Sequence, residues 1–250
     1  MSQKTPSYRN SHTAPDKGPY YDCGYAADPE LRLYWSLERQ FLGEFLETRF
    51  SEREIHLLDF ACGTGRITQF LEERVTTSTG VDVSSAMLDV ARQKLRRTEL
   101  IQADLTTRNV LSGRRFNLIT AFRFFVNAER PLRQSVIKAL AAMLDDDGYL
   151  IFNNHQNRTS PWYLLGYIRN RWRDRGGPYS VMSAQEMRNL AAGAGLRVTE
   201  LQHMGLLIPP LVRRMPEALA QTIERTAMRL PFLAPVSQEL IAVCRHKGVT

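Results

Sequence analysis

The stretch LLDFACGTGRIT, residues 57–68, constrains this chain more than any other segment. A short apolar run, IHLLDF, is stopped by a glycine-rich turn, and GRITQFLEER beyond it reads as helix. Glycines let the backbone pass close to a ligand with no side chain in the way, and the helix that follows begins with free amide donors. The same alternation continues. TGVDVS is a strand ending in Asp82, SAMLDVARQKLRR a helix, ELIQAD a strand ending in Asp104, FNLITAF a strand, and ERPLRQSVIKALAAML a helix. DDDGYLIFNN reads as a turn and a strand, SAQEMRNLAAGAG as a helix capped by Ser183 with Glu186 in capping-box spacing, and LRVTELQHMG and QELIAVCRHK as the last two strands. Repeated strand and helix units imply a parallel sheet with helices on both faces, and ligands in such sheets bind beyond the carboxyl ends of the strands.

The register of the glycine loop narrows the ligand. A fold that grips pyrophosphate wants glycine at three positions that here are Ala61, Gly63 and Arg66. Arg66 stands where close packing of helix on strand would want glycine. Asp59, just ahead of the loop, places a carboxylate where pyrophosphate would be repelled and a positively charged sulfonium amino acid welcomed. A nicotinamide-dependent oxidoreductase on the same scaffold is therefore disfavoured.

DFACGTG resembles the first motif of the class I S-adenosylmethionine-dependent methyltransferases, with Ala61 in place of the first glycine. Further stations of that family follow in order. GVDVSSAML is similar to the second motif, IQADL to the third, and LDDDGYLIF to the helix, turn and fifth strand, with the usual Pro-Gly-Gly reduced to Gly148. The resemblance covers about residues 55–155. It implies an α/β, Rossmann-like seven-stranded sheet, mostly parallel with one antiparallel strand, helices on both faces and a helical cap. It also implies that S-adenosyl-L-methionine is held by Asp59, Ala61, Cys62, Gly63 and Gly65 of the loop. Asp82 would accept hydrogen bonds from both ribose hydroxyls, with Val83 beside it. Asp104 would meet the adenine amino group, and Leu105 would border the ring. Phe122 and Tyr21 complete the expected cofactor contacts. Met87 has two readings: packing on adenine, or ordinary core at helical spacing.

The acceptor is less legible. The fourth strand runs into FRFFVNAERP, without the Asn or Asp, Pro, Pro, aromatic run of base and amide N-methyltransferases, and no Pro-Cys nucleophile of a cytosine methyltransferase is present. Nucleic-acid bases are poor candidates. His155 follows the fifth strand, where a neutral imidazole can serve as general base for a hydroxyl, and Asn153, Asn154 and Arg123 are expected at the same mouth. Two insertions depart from the minimal fold, about residues 156–182, aromatic and arginine-rich, and about residues 206–236. Both are expected to cap the strand ends and shape a pocket for a small hydroxylated acceptor: a sugar, glycolipid, quinone or secondary metabolite.

Ahead of this domain, residues 1–19 read as a flexible polar arm, and residues 20–50 as a helical cap whose Leu33, Leu37, Phe41 and Phe45 recur at helical spacing. Tyr20, Tyr21 and Tyr25 are candidate lid residues, and His12 a weak one. No apolar run reaches the roughly 20 residues that cross a bilayer, and no signal peptide is evident, so the expected compartment is the cytoplasm. Cys23, Cys62 and Cys244 are too far apart for a disulfide scaffold or a zinc site. A net charge of +7 favours an anionic or lipid-linked substrate, and Arg169, Arg171, Arg173 and Arg175 lie beside Trp162, Tyr163, Tyr167 and Trp172. The rival to a small-molecule enzyme is a module that keeps the cofactor fold and binds RNA or a membrane surface.

Overall fold

A computed structural model describes residues 27–107, 110–171 and 181–248. The arm, His12, Tyr20, Tyr21, Tyr25 and Cys23, and the stretch holding Trp172, Arg173 and Arg175, lie outside the described residues. The first described helix, α1 (Pro29–Phe50), starts where Asp28 accepts the Glu30 amide at 2.8 Å and Pro29 occupies the first turn. It leads into β1 (His56–Phe60), α2 (Arg66–Leu71), β2 (Thr77–Asp82), α3 (Ser85–Lys94), β3 (Thr98–Gln102), β4 (Phe116–Ala121), α4 (Arg130–Met143) and β5 (Leu144–Asn154). Then come α5 (Pro161–Arg171), α6 (Ala184–Ala192), β6 (Leu196–Met204), α7 (Pro209–Val212), α8 (Glu217–Met228) and β7 (Glu239–His246). The capping box of Ser183 and Glu186 forms as its spacing implies.

The seven strands lie in the order β3-β2-β1-β4-β5-β7-β6. β7 runs antiparallel to both neighbours, and the other pairs are parallel. Strand order reverses between β1 and β4, so the carboxyl ends of these two strands open a crevice there. Alternation in the central strands feeds two cores. Leu150, Phe152, Leu240 and Ala242 face one with α4 and α6, while Ile151, Ile241 and Val243 face the other with α1 and α2. Because β5 and β7 are covered on both sides, their sequences read as nearly continuous apolar runs.

Two helices stop earlier than their patterns imply, and each stops the other. The carboxylate of Glu72, just past α2, accepts the Arg96 and Arg97 amides at 3.2 Å each and the Thr98 hydroxyl at 3.0 Å. Glu72 is thus spent on the entry to β3, and the amides that would have extended α3 are already satisfied.

Both insertions leave the sheet at its carboxyl end, after β5 and after β6. The second packs along α1. Glu224 of α8 is fully buried and accepts the amides of Gly205, Leu206 and Leu207 at 3.0, 3.1 and 2.6 Å. Gly205 sits at φ +80° under the ring of Tyr34, where any Cβ would fall 2.3 Å from Tyr34 Oη. Asn157 joins the two insertions by donating to the carbonyls of Ala234 and Ser237 at 3.1 and 2.9 Å.

Candidate active site

The loop after β1 folds as a left-handed turn. Ala61 has φ +53°, Gly63 +56° and Gly65 +79°. For Ala61 the left-handed region costs about 1 kcal/mol or more, a strain that glycine would not carry. Gly65 is required for packing as well, since a Cβ there would lie 2.9 Å from Leu95 Cδ1. At Gly63 the direction of a Cβ is open, with nothing within 4 Å. Its amide donates to Asp82 Oδ2 at 2.9 Å, and the Ser84 amide donates to Oδ1 at 2.8 Å. Two backbone donors thereby fix the orientation of the Asp82 carboxylate at the crevice.

A cleft opens here, lined by Asp59, Ala61, Cys62, Gly63, Asp82, Met87 and Phe122 among the expected residues. Thr64, Arg66, Ile67, Arg123 and Asn127 complete the lining. Gly65, Val83, Asp104, Leu105 and His155 lie outside it. Gly65 is behind the loop, packed on α3. Val83 is half-buried, and its carbonyl accepts from Gln102 Nε2 at 3.3 Å. Asp104 Oδ1 accepts the amide and the hydroxyl of Thr106 at 2.9 and 2.6 Å, closing a turn beyond β3. Leu105 is buried in the larger core. Tyr21 is outside the described residues.

Asp59 is 1% exposed, and its carboxylate accepts the hydroxyls of Thr68 at 2.5 Å and Thr120 at 2.7 Å. It therefore ties β1 to α2 and β4. Burial pushes its pKa up to about 6, against the pull of those hydroxyls and of Arg66. A cation in the cleft would favour its ionised form. Burial, with Asp59 and Asp82 adding to it, holds the Cys62 thiol well above its ordinary range. The thiol is thus a packing group against Gly80, where a Cβ would sit 3.1 Å from Cys62 Sγ.

Behind the cleft lies a charged cluster that the sequence did not announce. Arg66 Nη1 donates to Glu38 Oε2 at 2.5 Å, and its guanidinium sits 4.4 Å from the centroid of Trp35. Arg123, at φ +62°, approaches Glu38 at 3.6 Å and Glu239 at 3.8 Å. Asn153 accepts the Arg123 amide at 2.6 Å and donates to Glu239 at 2.6 Å. Glu38, Asn153 and Glu239 are all at most 1% exposed. Burial pushes Glu239 up to about 7, with Glu38 adding to it and Arg123 opposing. Arg66, which looked like a misplaced glycine, is thus the anchor of α1 on the cofactor loop. Its partner lies 28 residues upstream, so no local spacing could have revealed it.

Asn153 and Asn154 do not line the mouth; both are fully buried, and Asn154 Nδ2 donates to the Met182 carbonyl at 2.6 Å. His155, one residue further, has Nδ1 shut off from solvent and without a hydrogen-bond partner. Burial, reinforced by the positive charges of Arg123 and Arg66, holds its pKa well below the usual histidine range. The imidazole is neutral at physiological pH.

A glycine loop of this hand after β1, an acidic residue at the end of β2 fixed by that loop, and β7 antiparallel in a seven-stranded sheet define a class I methyltransferase. The chain belongs to the family of methyltransferase domains, which it matches over residues 34–201. It is an S-adenosylmethionine-dependent enzyme. It is 25% identical over 166 residues to a ubiquinone biosynthesis O-methyltransferase of Coxiella burnetii (strain RSA 493 / Nine Mile phase I), covering 63% of this chain and 70% of that one. It is 31% identical over 131 residues to a malonyl-[acyl-carrier protein] O-methyltransferase of Priestia megaterium, covering 50% of this chain and 45% of the relative. The fold matches magnesium protoporphyrin IX methyltransferase from Synechocystis PCC 6803, solved with bound S-adenosylmethionine. That match has a TM-score of 0.63 and 11% identity over 98% of this chain and 100% of the other.

Proposed function

We propose that the enzyme methylates the oxygen of a small-molecule acceptor, an acidic hydroxyl of the phenolic or enolic kind, with His155 receiving its proton. The observation that carries this reading is the unpartnered Nδ1 of His155, just past the carboxyl end of β5 and within electrostatic reach of Arg123, which lines the cleft. Two of the curated relatives, in keeping with methylation of oxygen, are O-methyltransferases by name.

S-adenosylmethionine supplies an electrophilic methyl group when bound. On this reading the residues of this chain position and desolvate. Asp82 and the Gly63 turn orient the ribose end, with Met87 and Phe122 as apolar walls. Asp59 offers negative charge near the sulfonium end. Val83, Asp104 and Leu105, at the ends of β2 and β3, would be reached by an adenine extending past the cleft proper. Burial, with Arg123 and Arg66 adding to it, favours the unprotonated form of His155. An imidazole of depressed pKa is a weak base, and proton transfer to it is efficient only from an acidic hydroxyl. That favours a quinol-like acceptor over a sugar alcohol.

Turnover of His155→Ala on a phenolic acceptor should fall by roughly two to four decades with cofactor affinity unchanged, and turnover on a carboxylate acceptor, which has no proton to lose, should fall far less. Equal losses on both acceptors would remove His155 from proton transfer.

A further inference from the structure

We infer that α5 and the segment around Phe232 form one surface that docks the enzyme on an anionic lipid bilayer. The first eight residues of α5, PWYLLGYI, hold no charge, yet none of them is buried. Leu164, Leu165, Tyr167 and Ile168 are 46%, 60%, 40% and 54% exposed. A helix apolar around its whole circumference is stable in a protein core or against lipid, and this one lies in neither core cluster. Phe232, in a single 3₁₀ turn before β7, is 73% exposed, more than any other large apolar residue described.

The two segments leave one junction. Thr159 donates to the Pro235 carbonyl at 2.7 Å, two residues before α5 and three after Phe232, and the Asn157 bonds to Ala234 and Ser237 reinforce it. Both spring from the carboxyl end of the sheet, where the cleft opens. Exposed apolar surface concentrated in this way marks an interaction site.

Charge selects lipid as the occupant. Residues 156–171 and 225–238 contain Arg158, Arg169, Arg171, Arg225 and Arg229 and no acidic residue; Arg158 pairs with Glu186 of α6 at 2.8 Å, and the other four supply the positive charge. Trp162 and Tyr163 open the helix, and aromatic residues with arginines beside an apolar face suit the boundary between headgroups and acyl chains. The cationic flanks would meet anionic headgroups while Leu165, Ile168 and Phe232 enter the acyl region. The inference does not depend on the acceptor proposed above, because docking is read without turnover.

The test is cosedimentation of the full chain with vesicles of phosphatidylglycerol and phosphatidylcholine, and with phosphatidylcholine alone. Binding is expected to the anionic vesicles, weakened by raised salt, and at least about tenfold weaker for Leu165→Glu/Ile168→Glu and for Phe232→Glu, with unchanged melting and S-adenosylmethionine affinity. If the double variant fails to fold, Phe232→Ser carries the same comparison. Wild-type protein left in the supernatant with both vesicle types would overturn the inference. So would variants that bind as wild type does, or a solution dimer that Leu165→Glu/Ile168→Glu dissociates, which would make a second copy the partner.

Discussion

Beneath α1, Glu38 and Glu239 lie sealed from water with Arg66 and Arg123 against them, whereas along α5 eight residues without a charge stand at the surface. The two regions flank the same carboxyl edge of the sheet, and each reverses the usual sorting of charge outward and oil inward. The first reversal is compensated internally. Every carboxylate in it has a cationic or amide partner, so the cluster holds α1 and β5 at one spacing around the cleft. The second has no compensation within the described residues, and that is why it points to something outside the chain. A buried charge tells of architecture when its partners are present; an exposed apolar helix tells of a partner that is missing.

The comparison can be broken most decisively by stability. Glu38→Ala leaves Arg66 and Arg123 facing Glu239 alone inside the protein, and should cost about 3–5 kcal/mol in urea unfolding. Leu165→Glu should change stability by only about 0.5 kcal/mol or less. Equal losses would mean that α5 is held by the fold after all, and that the cluster under α1 does not bind helix to sheet.

A smaller effect is expected at Asp82. Its replacement by Ala removes charge-assisted hydrogen bonds to a ligand and releases the Gly63 amide, so calorimetry should show S-adenosylmethionine affinity lower by about one to two decades, or 1.5–3 kcal/mol. Unchanged affinity would take Asp82 out of the site and leave it as the tie of the loop.

The smallest effect sharpens the role of buried charge. Asp59 ionises near pH 6 in the folded protein, against 3.8 for the free side chain. The folded state therefore binds the Asp59 proton more tightly than the unfolded state between those values. This residue's contribution lowers stability as pH rises through that window and is constant above it. In the same step the cleft gains a negative charge. Affinity for cationic S-adenosylmethionine relative to S-adenosylhomocysteine should then rise a few-fold from pH 5 to pH 7, and Asp59→Asn should flatten both trends. A ratio independent of pH in the unaltered protein would show that Asp59 serves only Thr68 and Thr120.

Much of this was legible along the chain because it is local. Period-two and near-3.6 apolar patterns, Ser183 with Glu186, and the glycines after β1 each express preferences within a few residues. The strand ends at Asp82 and Asn154 could be read for the same reason. The charged cluster was hidden because its members, Glu38, Arg66, Arg123, Asn153 and Glu239, come from five places in the chain. Arg66 alone showed as an anomaly, a cation where a glycine was expected. The shortened α2 and α3 were missed likewise, since Glu72 and the Arg96 and Arg97 amides meet only when the fold is made.

By itself the sequence determined the strand and helix alternation, the position of the cofactor loop and the candidates at the strand ends, because backbone propensity and side-chain periodicity act over short spans. Only the tertiary structure decided that Ala61 takes a left-handed turn, that Asn153 and Asn154 are sealed rather than at the mouth, that His155 is neutral, and that α5 stays uncovered. Burial and long-range pairing set each of these. A residue's charge state and exposure depend on atoms brought to it from elsewhere in the chain, and no short span of sequence contains them.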